Sequence, residues 1–152
     1  MRKGVRRWLL GVRCWVLGIG CLMLAVGCDF ETSGNGDLDG YWHLERVDTL
    51  ASGGSCDLSQ QTLFWGVQFH LLRMADLAHN DIIYRFSQED GQLVLSAPCM
   101  FDRIEGDTLV TDLEVLRPFG VSSLDERFSI VRLDSDCLVL KSVALQLTFK
   151  KY

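Results

Sequence analysis

The sequence predicts an all-β domain, a small antiparallel up-and-down barrel of about eight strands. Three observations point to it. Turn residues recur at short intervals from Gly40 onward: Ser52 to Ser55, His79-Asn80-Asp81, Asp90-Gly91, Ala97-Pro98, Glu105-Gly106-Asp107, Pro118-Phe119-Gly120 and Asp134-Ser135-Asp136. The runs between them have strand length, and several alternate with a period of two, which is how a strand covers a core on one face only. The chain has 152 residues, room for one ordinary domain and little more.

The chain opens with a basic stretch, Met1 to Arg13, followed by 13 apolar residues from Cys14 to Val26 and small residues before Cys28. These are the three parts of a secretory signal. A helix needs about 20 apolar residues to span the hydrocarbon core, so this stretch is too short for a permanent anchor. Residues 1–27 are therefore expected to be a signal peptide. Residues 28–39 carry Cys28 and an acidic, Gly- and Ser-bearing stretch (DFETSGNGDLD) that reads as a flexible tether, and residues 40–152 form the barrel domain.

The strands are expected at 41–49, 63–71, 82–88, 92–96, 108–116, 126–133, 137–141 and 144–151. In the fifth, Leu109, Thr111, Leu113 and Val115 face one way; in the last, Leu145, Leu147 and Phe149 do. Asp90-Gly91 suits a type I′ hairpin turn, whose two central residues both need positive φ. Leu71 to His79 is the exception, since Leu, Met and Ala there favour a helical turn. Closing the barrel would remove the exposed strand edges that invite aggregation.

Five of the 15 basic residues and none of the 20 acidic ones lie in the first 27 residues, so the domain itself keeps ten bases against twenty acids. So acidic a surface argues against nucleic acid, which needs a basic footprint. Six cysteines would ordinarily suggest a disulfide framework. Here Cys14 and Cys21 leave with the leader and Cys28 stands at the cleavage site, so Cys56, Cys99 and Cys137 remain. A Cys56–Cys99 bridge is left open, because both lie near turn residues. There is no Cys-x-x-Cys, nucleophile elbow, zinc helix motif, phosphate loop or dinucleotide fingerprint. No enzyme activity, cofactor or metal is expected. If strands 41–49 and 63–71 form a hairpin, His43 and His70 face each other, but two ligands fall short of the three or four a metal site needs.

Leu24-Ala25-Val26-Gly27-Cys28 resembles the lipobox of bacterial lipoproteins, with Ala25 where that family prefers Leu. The resemblance implies cleavage before Cys28, a diacylglycerol on its sulfur and an acyl chain such as palmitate on its amino group, enough lipid for stable attachment to a membrane. The domain opens with Gly40-Tyr41-Trp42, which matches the G-x-W signature of lipocalins. Together with the lipobox, the acidic tether, Phe64 to Phe69 and a last strand that runs to Tyr152, it resembles the uncharacterised lipocalin-like lipoproteins of Gram-negative bacteria. That family implies a barrel with an apolar interior, Gly40 letting the chain turn in and Trp42 plugging the closed end. It also implies a basic residue packed on the tryptophan, for which Lys150, Lys141 and Arg132 are the candidates, and a location in the cell envelope on the outer membrane, with either face open.

Trp42, Trp65, Phe69, Tyr84, Phe86, Phe128 and Phe149 are the large residues expected to point inward. They either fill the barrel or line a pocket. The leading expectation is a monomeric, membrane-anchored protein that binds a small apolar ligand, with Trp65, Tyr84, Phe86 and Phe128 as the lining residues. The alternative is an interaction module with a filled barrel that docks an envelope or host partner through its acidic surface.

Overall fold

The computed structural model describes residues 33–152; the expected signal peptide and Cys28 lie outside the described residues. Ten strands follow in order: β1 (Gly40–Thr49), β2 (Ser55–Asp57), β3 (Phe64–Gln68), β4 (Leu71–Ala75), β5 (Asp81–Glu89), β6 (Gln92–Met100), β7 (Thr108–Leu109), β8 (Glu126–Leu133), β9 (Cys137–Lys141) and β10 (Leu145–Lys151). Eight of them are staves of a closed antiparallel barrel, in the order β1-β3-β4-β5-β6-β8-β9-β10, with β10 pairing back onto β1 from Trp42↔Lys151 to Thr49↔Leu145. The two short strands are extensions: β2 pairs the far half of β1, and β7 the far end of β6. Each stave thereby has a strand partner on both sides.

Alternation sets the interior. Trp42 and Leu44 of β1, Trp65 of β3, Leu72 and Met74 of β4, Ile82 and Tyr84 of β5, Leu93 and Leu95 of β6, Phe128 of β8, Leu138 and Leu140 of β9, and Leu147 of β10 are all fully buried. Asp90 and Gly91 both have positive φ (50° and 73°) in the β5–β6 hairpin, the type I′ turn that the dipeptide predicts. Three one-residue slips, in β1 between Leu44 and Arg46, between β5 and β6, and in β8 between Ile130 and Arg132, let the sheet coil into a barrel.

Four sequence expectations change. The run expected as one strand, 63–71, breaks at Phe69-His70, and Leu71–Ala75 is the fourth strand rather than a helical turn. Phe69 takes φ 54° there and is 43% exposed, so it is not an interior residue. No glycine or asparagine marks this turn. The Asn35 side chain holds it from outside by donating to the Phe69 carbonyl at 2.7 Å. Ala97-Pro98 is not a turn between strands but a bulge inside β6, with Ala97 at φ 52° and two residues opposite Tyr84. Proline is tolerated because the bulge needs no ladder bond from it.

The fourth change is at 108–116. Only Thr108–Leu109 is strand, and Leu109 is 71% exposed. The chain then forms two turns of 3₁₀ helix, Leu113–Val115 and Arg117–Phe119. Leu116, Phe119 and Val121 turn into the core and fill the end of the barrel opposite Trp42. Arg117-Pro118-Phe119-Gly120 carries its own explanation: Pro118 favours a helical start, and Gly120 closes the turn at φ 82°. A Cβ at position 120 would lie 2.5 Å from Leu147 Cδ2. Gly120→Ala is expected to destabilise the domain by about 2 kcal/mol, from left-handed backbone strain and overpacking together. Urea denaturation measures it, and an unchanged midpoint would show that the plug is loosely seated.

Candidate functional site

The end of the barrel at which the chain enters is closed by contacts built around Trp42. Residues 33–39, expected as tether, lie against it: Gly36–Leu38 make one 3₁₀ turn, and Leu38 is fully buried. The Asp39 carboxylate accepts from the Ser33 hydroxyl and, at 2.8 Å, from the Asn35 amide. Trp42 Nε1 donates to the Leu38 carbonyl at 2.8 Å. The cation on its ring is Lys151, with Nζ 4.6 Å from the ring centroid and donating to the Asp37 carbonyl at 2.8 Å. Lys150, Lys141 and Arg132 do not fill this role. Lys150 pairs with His43 in the register, Lys141 lies at the far end of β9, and Arg132 is tied to Asp134 at 2.7 Å. Alternation explains the choice, since Lys151 stands two residues beyond inward-facing Phe149. Gly40, at φ 123°, is needed beside it: a Cβ there would fall 2.8 Å from Lys151 Cε.

The four residues expected to line a pocket all belong to the one hydrophobic core cluster of the barrel. Trp65, Tyr84 and Phe128 are fully buried and Phe86 is 7% exposed. Trp65 lies edge-on to Phe128 at 5.8 Å and tilted against Phe149 at 4.8 Å. Two polar atoms sit in this apolar packing. Trp65 Nε1 and Tyr84 Oη are both buried, and neither has a hydrogen-bond partner among the described residues. Buried donors nearly always find an acceptor, and leaving one unmet costs about 1–3 kcal/mol. Burial pushes the Tyr84 phenol pKa well above its ordinary value, and the negative charges of Glu126 and Asp125 push it the same way, so the hydroxyl keeps its proton.

Glu126 is the interior residue that sequence reasoning missed. It is 5% exposed, and its Oε2 accepts from the backbone N–H groups of Ser122 (2.9 Å) and Ser123 (3.0 Å) and from both hydroxyls (2.8 and 3.1 Å). The carboxylate thus ties the end of the 3₁₀ plug to the start of β8. The period-two pattern of β8, which puts Glu126 on the same face as Phe128, was the signal available.

At the end of the barrel where the chain enters, Ser33–Gly36, His70, Ser87, Gln88, Asp90 and Gly91 enclose an open cleft of about 620 Å³, whose floor is reached by the edge of the largely buried Phe86. His70 lies here, in the β3–β4 turn, and not opposite His43. His43 pairs with Phe64 and is bonded to Glu45 at 2.8 Å and to the Gln61 carbonyl at 2.6 Å. Three or more His, Cys, Asp or Glu side chains converge nowhere among the described residues. Cys56, Cys99 and Cys137 are free thiols, so the Cys56–Cys99 bridge is not formed. Cys56 sits on β2 against Val47, whereas Cys99 sits on β6 between Ile83 and Leu109. The acidic turns do what turn carboxylates ordinarily do: Asp134 accepts from the N–H groups of Asp136 and Cys137, and the first of these chiefly holds its pKa below the usual range.

A closed eight-stave barrel entered through G-x-W, with a lysine over the tryptophan, matches a family model described as a lipocalin-like domain over residues 22–152. The chain belongs to this lipocalin-like family. Two solved structures share its fold. A lipocalin-like protein from Bacteroides uniformis is 18% identical with a TM-score of 0.60, the match covering 77% of this chain and 100% of that one. An uncharacterized protein from Bacteroides eggerthii is 14% identical with a TM-score of 0.53, covering 75% and 98%. At these identities the lipocalin-like likeness is one of fold. No curated protein matches the chain.

Proposed function

We propose that this lipocalin-like protein is a non-catalytic binding protein that holds a small, largely apolar ligand within its barrel and is tethered to the outer membrane through lipidated Cys28. The observation that carries the binding reading is the pair of unpartnered donors, Trp65 Nε1 and Tyr84 Oη, on an otherwise apolar wall. A side chain whose only task is to fill space is better supplied by Phe, which places no polar atom in the core. Polar groups set singly into an apolar lining are the usual means of orienting a small ligand. Leu116, Phe119 and Val121 occupy the end opposite Trp42, so a ligand that enters there has to displace the 113–121 segment. Native mass spectrometry of the purified protein tests the reading. A co-purified small molecule, or uptake of aromatic or fatty probes, is the expected result, and neither appearing would overturn it.

The anchor rests on the lipobox-like sequence alone. Cys28→Ala is expected to move the protein from the membrane to the soluble fraction, and unchanged membrane association would overturn the tether.

A second reading, docking of a protein partner, is supported by the connections at the plugged end of the barrel. Leu50, Leu77, Ile104 and Val143 lie on four different loops there and are 39%, 78%, 94% and 94% exposed. Asp76, Asp102, Glu105 and Asp107 share two of those loops, which suits a basic partner with apolar contacts.

A further inference from the structure

Resting on the reading that the barrel holds a ligand, we infer that this ligand carries an uncharged hydrogen-bond acceptor, such as the carbonyl oxygen of an ester or ketone, and that the site selects against carboxylates. Three observations on the interior wall carry this. Indole N–H can only donate, so Trp65 requires an acceptor. Tyr84, kept protonated by burial beside Glu126 and Asp125, can offer a second donor to an acceptor. Glu126 itself is the one charged side chain buried among the described residues, and no lysine or arginine is buried with it.

A carboxylate accepting from Tyr84 would stand near the Glu126 charge with no cation to balance either. Both desolvation and like-charge repulsion oppose that arrangement. A neutral carbonyl takes the same hydrogen bond without importing charge. Glu126 meets neither donor: its Oε2 accepts from the four donors of Ser122 and Ser123, and no hydrogen bond joins it to Trp65 or Tyr84. The polar geometry thus assigns complementary roles: the protein supplies the protons and the ligand the oxygen.

Binding of methyl octanoate, octanoate and octane to the purified protein, followed by tryptophan fluorescence at pH 7.5, tests the assignment. The ester is expected to bind at least about tenfold more tightly than octanoate, a difference of about 1.4 kcal/mol. An apolar lining alone would give some preference of that kind, so the variants are decisive. Tyr84→Phe and, separately, Trp65→Phe are each expected to lower ester affinity relative to octane by about three- to tenfold, the size of one lost hydrogen bond. Glu126→Gln is expected to raise octanoate affinity relative to the ester several-fold. Should the ratios stay fixed in Tyr84→Phe and Trp65→Phe while all three probes bind, the donors are idle and the inference fails, leaving the binding reading intact. Octanoate binding as tightly as the ester would also overturn it. If no probe binds and nothing co-purifies, the binding reading itself is lost, and this inference with it.

Discussion

Replacing Trp42 by alanine is expected to lower the stability of the domain by about 3–5 kcal/mol, the range for removing a large aromatic from a core. That is a large share of the roughly 5–15 kcal/mol that holds a typical domain together. The side chain is fully buried, its Nε1 donates to the Leu38 carbonyl, and its ring carries the Lys151 ammonium. Losing it opens a cavity at the closed end and frees both the segment before β1 and the last residues of β10. Guanidinium denaturation of Trp42→Ala and Trp42→Phe separates the contributions. Phe keeps an aromatic body and loses only the hydrogen bond and part of the cation contact, so it is expected to cost roughly 1–2 kcal/mol. Equal losses in the two variants would mean that packing at this end contributes little.

Glu126→Ala is expected to cost about 3 kcal/mol, since a charged acceptor shared by four donors is removed from a position that is 5% exposed. The two serine hydroxyls can turn towards water, but the backbone N–H groups of Ser122 and Ser123 are fixed in direction and lose their acceptor. Hydrogen exchange gives the sharper readout. Those two amides are expected to lose protection along with the rest of the 113–121 plug, while amides of β9 and β10 far from it change only as global stability falls. Glu126→Gln retains one side-chain carbonyl oxygen and is expected to preserve much of the protection. An Ala variant with native protection at Ser122 and Ser123 would show that the turn stands without the carboxylate.

Where the fold was legible in the sequence, one physical rule made it so. Strands β8 and β9 fall at 126–133 and 137–141, as the alternation predicts, because each has one apolar face and is bounded by turn carboxylates that satisfy their own backbone. The same rule turned Trp65, Tyr84, Phe86 and Phe128 inward. It misled at 108–116, where Leu109, Thr111, Leu113 and Val115 alternate as in a strand, yet the chain leaves the sheet after Leu109. Periodicity says which side chains could share a face but not whether a neighbouring strand is available to pair, and beyond β7 the flank of β6 is taken by β8. A similar limit hid the β3–β4 turn. Phe69 takes positive φ in a turn where its carbonyl is held by Asn35, 34 residues away in sequence.

By itself, then, the sequence determined an all-β barrel, every inward aromatic it named except Phe69, the G-x-W opening and the acidic character of the domain, because these follow from local alternation, turn chemistry and composition. Tertiary structure alone decided that Lys151 covers Trp42, that the 113–121 segment plugs the far end, that Glu126 is buried there, and that the Trp65 and Tyr84 donors are left facing an apolar interior. The reason is that a hydrogen bond or a buried charge is settled by which distant groups the closed barrel brings within about 3 Å, and no local pattern records that distance.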